Sequence, residues 1–168
     1  MRYHAEMDPS STNAITEFAI VVAGFTGLVF ALERTDGPID PFVKFRTVTM
    51  LFYAFSAAFG SVLPTLVDSF GVADDIWLAS SICLVPILLA NMLATWVASR
   101  RILTAEERPQ LKGWMWSLVM VGNSVFALWL AANALGLVPG QIAGSFFAAL
   151  IWQLVLSTIL FTRLLIIR

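Results

Sequence analysis

The sequence has very few of the side chains on which most enzymes depend. Cys83 is its only cysteine and His4 its only histidine, so one chain can form no internal disulfide and no Cys/His metal cluster. It also contains no GxGxxG, P-loop, HExxH or CxxC motif and no Ser/His/Asp set. These absences predict a protein that is not an enzyme and that has no catalytic residue, no cofactor and no metal site.

Charge is also scarce. Charged residues make up 12% of the 168 residues, whereas 59% are hydrophobic. A soluble domain has roughly 25% charged residues. The few basic residues stand near the ends of apolar runs and form no stripe with interleaved aromatic residues, so we expect no nucleic-acid partner. The composition indicates an integral membrane protein whose main partner is the lipid bilayer.

Long apolar runs are what the sequence does have. A transmembrane helix needs about 20 predominantly apolar residues. The chain contains five such runs, and the connections between them are too short to hold a soluble domain with its own core. We therefore predict an all-α fold, with residues 1–168 forming a single domain that is an integral membrane bundle of five transmembrane helices. The predicted spans are residues 14–32, 47–67, 76–98, 115–136 and 143–166.

The basic residues predict the orientation of these spans, because cytoplasmic loops of membrane proteins are enriched in Lys and Arg. With the N-terminus outside and the C-terminus in the cytoplasm, nine of the ten basic residues lie inside and only Arg2 lies outside. This distribution predicts a multi-pass membrane protein with its first and third connections in the cytoplasm. Glu6 and Asp8 precede the first run and Glu33 follows it, so we expect that run to be retained and not cleaved as a signal peptide.

The first span carries a ridge of small residues, Ala19, Ala23, Gly27 and Ala31, at every fourth position. On a helix these residues share one face, where a neighbouring backbone can approach closely. Packing within the chain is one interpretation of this face, and contact with a second subunit is the other. The spacing alone leaves both open.

Three amide side chains lie deep in predicted spans: Asn91 in the third, Asn123 in the fourth and Gln153 in the fifth. Each needs a partner, because the hydrocarbon core offers no water. Asn91 and Asn123 fall at a similar depth, which predicts that they can pair. One interpretation is an interhelical hydrogen bond, worth about 0.6 to 2 kcal/mol. The other is a ligand site or a permeation pathway.

Two carboxylates, Glu17 and Asp68, stand at the outer ends of spans. On that side of the predicted membrane six acidic residues accompany one basic residue, which gives an acidic outer face that would attract cations. Glu17 lies about one turn inside its apolar run. It can reach the headgroups, or it can share an outer vestibule with Asp68, and the sequence is compatible with either arrangement.

The segments VVAGFTGL (Val21 to Leu28), AAFGSVLP (Ala57 to Pro64) and NALGL (Asn133 to Leu137), and the closing apolar segment with Arg163, resemble a family of small, functionally uncharacterised bacterial multi-pass membrane proteins. The resemblance extends over most of the chain. It implies a protein of the bacterial inner membrane, and it supplies no activity and no site residues, because these motifs serve packing and turns.

Two functional hypotheses follow from these features. The first is a homo-oligomeric channel or transporter-like protein with an acidic outer face, based on the small-residue faces, the outer acids and the helix-kinking Pro64 and Pro86. The second is a non-catalytic structural or accessory subunit of a larger membrane complex, based on the short loops and the lack of central charged residues. The mass of the assembly in mild detergent distinguishes the two.

Overall fold

A computed structural model of the chain describes residues 12–33, 40–71, 75–111, 113–138 and 141–166. These residues form helices, with no strand among them, as the all-α prediction requires. Each of the five described α-helices overlaps one of the five predicted runs. They are α1 (Asn13–Glu33), α2 (Pro41–Phe70), α3 (Ile76–Ile102), α4 (Trp114–Ala134) and α5 (Ile142–Ile166), with a short 3-10 helix (Arg108–Leu111) before α4.

Helix α2 begins earlier than the predicted second span because its first residues carry a complete N-terminal cap. Asp40 Oδ1 accepts hydrogen bonds from the backbone N–H groups of Phe42 at 2.6 Å and Val43 at 3.2 Å. Pro41 occupies the first helical position, where its missing N–H costs no helical hydrogen bond. At the other end, Gly71 adopts a left-handed φ of 57° and closes the helix.

Helix α3 continues past the predicted span end to Ile102, and a capped connection follows it. Asp75 caps its start through a 2.9 Å bond from the Leu78 N–H. Beyond its end, Thr104 and Glu107 each accept a hydrogen bond from the other's backbone N–H, at 3.3 and 2.8 Å. These local bonds stabilise the turn that directly follows α3.

The helices α2, α3, α4 and α5 form a four-helix bundle of alternating direction, and α1 packs against α2 and α5. At one end, Phe45 of α2 meets Trp116 of α4 with 6.5 Å between ring centroids. We call this the basic end, because the described basic residues lie there, where α2 and α4 begin and α3 and α5 end. They are Lys44, Arg46, Arg100, Arg101, Arg108 and Arg163.

The small-residue ridge of α1 is used in part for packing within the chain. Ala19 is completely buried, and the neighbouring Thr16 hydroxyl lies 2.5 Å from the Ser61 hydroxyl of α2. Gly27 of the ridge, in contrast, is exposed, as is Gly24 beside the ridge, and a Cβ atom added to either would meet no atom within 4 Å. The side chain of Ala31 lies outside the described part of the chain. The ridge therefore meets α2 near its start and presents an open surface further along.

Four helices of the described chain, α2 to α5, are long and apolar enough to cross a membrane. Their outward side chains fit contact with lipid: Phe59 is 67% exposed, Leu93 61% and Leu128 70%. The chain is thus a multi-pass helical membrane protein in its architecture. In α1, the stretch with described side chains is a shorter apolar helix, Asn13–Gly24.

Candidate functional site

Gln153 of α5 is the centre of a buried set of polar side chains. It is 0% exposed. Its Nε2 donates a hydrogen bond to Asn123 Oδ1 of α4 at 2.7 Å, and its Oε1 accepts one from Asn91 Nδ2 of α3 at 3.1 Å. One amide therefore joins three helices. The predicted direct pairing of Asn91 with Asn123 is replaced by an indirect one, because Gln153 lies between them.

The same asparagines also donate hydrogen bonds to side chains of helix α2. Asn91 Nδ2 also donates to Ser56 Oγ at 2.6 Å. Asn123 Nδ2 donates to the Tyr53 hydroxyl at 3.4 Å, and that hydroxyl lies 3.2 Å from Thr95 Oγ1. These bonds connect α2, α3, α4 and α5 through six side chains. We call them the polar network: Tyr53, Ser56, Asn91, Thr95, Asn123 and Gln153.

The spacing of these residues explains why they meet. Tyr53 and Ser56 are three apart on α2, and Asn91 and Thr95 are four apart on α3, so each pair shares one helix face. Each pair also lies near the middle of its helix, as does Asn123 in α4 and Gln153 in α5. Packing the helices in alternating directions brings their middles to the same level.

Apolar side chains enclose the polar network from both ends of the bundle. Towards the basic end it adjoins a buried cluster of Met50, Val119, Leu156 and Leu160, of which Tyr53 is itself a member. Towards the opposite end lies a larger buried cluster. Its members are Leu84, Leu88, Ala127, Leu130, Phe146, Ala149 and Leu150. Because water is excluded from both sides, an unpaired polar group at this level would be costly, and the mutual hydrogen bonds offset that cost.

The polar network contains amides and hydroxyls and no carboxylate, lysine, arginine or histidine. Such side chains hydrogen-bond well but offer no group that gains or loses a proton near neutral pH. Among the described residues there is no group of three or more His, Cys, Asp or Glu side chains that could hold a metal ion. The chemistry supported by this arrangement is hydrogen bonding between helices.

The two predicted carboxylates lie away from the polar network. Glu17 and Asp68 are both exposed. Thr16 is level with Ser61, and Asp68 stands seven residues further along α2, which is about 10 Å along the helix axis. Glu17 and Asp68 are therefore at different depths, and of the two arrangements compatible with the sequence this geometry does not favour the shared vestibule.

Three members of the polar network were not predicted as site residues. Ser56 is a small residue four positions before Gly60, a spacing that indicates only helix packing, and Tyr53 and Thr95 are ordinary members of apolar runs. The signal that could have found Thr95 is its position four residues after Asn91, on the same helix face. Tyr53 carries no comparable signal, because its apolar ring suits any buried position.

Comparison with known proteins adds no relative: no family model, no curated protein and no solved structure matches this chain.

Proposed function

We propose that all five helices span a bacterial inner membrane, with the N-terminus outside and the C-terminus in the cytoplasm. At 21 residues and 1.5 Å per residue, α1 has the length needed for a hydrocarbon core of about 30 Å. The one described lysine and the described arginines lie at the basic end, and the positive-inside tendency directs such an end to the cytoplasm. The resemblance of Ala57–Pro64 and Asn133–Leu137 to small bacterial membrane proteins supports the bacterial assignment.

Cysteine labelling tests this orientation, with Cys83→Ser as the background. Ser69→Cys and Ala105→Cys place single thiols at exposed positions near opposite ends of the bundle. We expect a membrane-impermeant maleimide added to spheroplasts to label Ser69→Cys, and to label Ala105→Cys only after lysis. Epitope tags on the two termini test α1 itself: tags on the same side of the membrane would show that α1 does not cross it.

For the role of the protein, we propose a non-catalytic structural or accessory subunit of a larger membrane complex. The observation that carries this proposal is Gln153, whose amide donates to one helix and accepts from another inside a packed bundle. A permeation path through the bundle would need polar groups that exchange partners with a passing solute. Here the members of the polar network hydrogen-bond to one another across four helices, and buried apolar clusters lie on both sides of them.

A homo-oligomeric channel formed between copies of the chain is the second candidate. It is favoured by the open face at Gly24 and Gly27, since small residues let helices of neighbouring subunits approach closely. In this arrangement the pore would lie between subunits and leave the closed interior of each bundle intact.

Mass measurement in mild detergent, combined with flux measurement, separates the two candidates. We expect the accessory subunit to purify as one copy per assembly with other polypeptides in fixed stoichiometry. A discrete homo-oligomer that conducts ions after reconstitution into liposomes would contradict that proposal. In that case Gly27→Leu, which fills the open face, should disperse the oligomer, and Gly144→Leu, at an exposed glycine near the start of α5, should not.

A further inference from the structure

Arg46 of α2 and Arg163 of α5 lie close together at the basic end of the bundle. The Ser157 hydroxyl of α5 donates to the Met50 carbonyl oxygen of α2 at 3.3 Å, which fixes the register of these antiparallel helices. Arg46 lies one turn before Met50 on the same face of α2. Each guanidinium is close enough to experience the positive charge of the other.

The position of Arg163 follows independently from the packing of α5. Leu156 and Leu160 pack in the same buried cluster as Met50. Arg163 is seven residues after Leu156, so it continues their stripe by one more turn towards the basic end. Both arginines are half-buried, so their guanidinium groups approach each other where water screens them incompletely.

A buried hydroxyl follows Arg46 directly in the sequence of α2. Thr47 is 2% exposed, and its Oγ1 has no hydrogen-bond partner. Because Arg46 and Thr47 are the fourth and third residues before Met50, both lie one turn below it and flank the same stripe of α2. The hydroxyl is a donor that could be satisfied by an acceptor placed between the two arginines.

Among the described residues of this corner, positive charges outnumber negative ones. Asp40 is the acidic group of this corner whose charge acts on Arg46, and its Oδ1 already accepts hydrogen bonds from the backbone N–H groups of Phe42 and Val43. Lys44 is exposed two residues before Arg46 and adds a further positive charge. An anionic ligand would bring negative charge to the two arginines and supply the acceptor that Thr47 lacks.

We propose that Arg46, Arg163 and Thr47 bind the phosphate group of an anionic phospholipid at the basic end of the bundle, beside α2 and α5. Guanidinium groups recognise phosphate oxygens through paired, charge-assisted hydrogen bonds, and basic sites between membrane helices bind anionic headgroups. A lipid is favoured over a soluble anion because the exposed stripe of α5 that passes Arg163 carries apolar side chains on both sides of it, with Ile166 75% and Val155 39% exposed. The two exposed threonines between them, Thr158 and Thr162, donate their hydroxyls to carbonyl oxygens of α5 itself. That stripe offers a surface for an acyl chain. The inference depends on the membrane character of the chain and is independent of its role in a complex.

Native mass spectrometry of the delipidated full chain tests the site. The probes are phosphatidylglycerol, phosphatidylcholine with the same acyl chains, and inorganic phosphate. We expect one phosphatidylglycerol to bind about tenfold more tightly than phosphatidylcholine, since one guanidinium–phosphate interaction supplies a difference of that size. Inorganic phosphate should not displace it at equal concentration. If inorganic phosphate binds as tightly as the lipid, the site recognises a soluble anion and the lipid assignment is wrong.

Single substitutions test which side chains bind the lipid. Arg46→Gln and Arg163→Gln should each weaken phosphatidylglycerol binding about tenfold. Arg46→Lys should recover part of the loss, and Thr47→Val should weaken binding by a smaller factor. The matched control is Arg100→Gln, because Arg100 is an exposed arginine of the same end whose guanidinium lies over the Trp96 ring. Equal affinities of the parent and both glutamine variants, or a larger loss in Arg100→Gln, would overturn the proposal. If a glutamine variant does not fold, Arg46→Lys and Thr47→Val decide the question.

Discussion

Gly122 of α4 lies directly against the indole ring of Trp152 on α5. A Cβ atom on residue 122 would overlap Trp152 Cζ2 and would lie 2.5 Å from Cε2. The indole has little freedom to move away, because it also packs on Phe126 with 5.5 Å between ring centroids. The two helices therefore approach each other at a point that only glycine allows.

The first prediction follows from this contact. Gly122→Ala should lower the free energy of unfolding by about 1–3 kcal/mol, the usual cost of overpacking. The control is Gly144→Ala, since a Cβ there meets nothing within 4 Å. This second change should be neutral or should stabilise the protein by up to about 1 kcal/mol, because alanine favours the helix. Denaturation in mixed micelles measures both, and equal effects of the two changes would contradict the assigned contact.

The second prediction concerns Gln153. Gln153→Leu keeps a similar volume but removes the hydrogen bonds to Asn91 and Asn123, so buried polar groups lose their partners. We expect the free energy of unfolding to fall by about 1–3 kcal/mol. The control, Thr158→Val on the exposed face of α5, removes a hydroxyl that bonds only within its own helix and should change little.

A double variant makes this second test sharper. Adding Asn123→Leu to Gln153→Leu removes both partners of one bond, and replacing a hydrogen-bonded pair by apolar groups costs less than orphaning one member. The double variant should therefore lose less stability than the sum of the two single variants. Additive losses would show that the two side chains do not interact.

The sequence was sufficient to place the helices but not to pair their polar side chains. Length and hydropathy located every α-helix, because a run of about 20 apolar residues has few alternatives to a membrane helix. The depth of a residue in the membrane could be counted along each run, and this count placed Asn91 and Asn123 at a similar level. The rotation of each helix about its axis could not be counted in the same way. That rotation depends on packing against neighbours, and it places Gln153 between the two asparagines.

The third prediction concerns the attachment of α1. The hydroxyls of Thr16 and Ser61 are 2.5 Å apart and join α1 to α2. Thr16→Ala and Ser61→Ala should show a coupling of about 0.5–1.5 kcal/mol in a double-mutant cycle. Ser69→Ala provides the control, because the Ser69 hydroxyl bonds to the Thr65 carbonyl of its own helix. A coupling of zero would mean that α1 is held by its apolar contacts alone.

The fourth prediction concerns the outer carboxylates. Glu17 and Asp68 are exposed and lie at different depths, so Glu17→Gln and Asp68→Asn should each change the free energy of unfolding by less than about 0.5 kcal/mol. Their effects should also be additive, because charges that do not share a site do not couple. A clear coupling between the two substitutions would restore the shared vestibule. Liposome flux measurements on the same variants test whether either carboxylate affects cation passage.

The last prediction uses the lengths of hydrogen bonds within the polar network to rank its members. The Tyr53 hydroxyl receives its bond from Asn123 at 3.4 Å, longer than the 2.7 Å bond from Gln153 to Asn123. Long hydrogen bonds are weak, so Tyr53 should contribute less than Gln153. Tyr53→Phe retains the ring that packs on Met50 and Leu156 and loses only the hydroxyl.

We therefore expect Tyr53→Phe to cost about 1 kcal/mol, which is typical of one net hydrogen bond. In one denaturation series, the loss of unfolding free energy should be largest for Gln153→Leu, smaller for Tyr53→Phe and smallest for the control Thr158→Val. A loss in Tyr53→Phe that equals or exceeds the loss in Gln153→Leu would place the main energetic link between α2 and α3, at Tyr53 and Thr95. In that case Thr95→Val should reproduce the effect, since Thr95 is the hydroxyl partner of Tyr53 on α3.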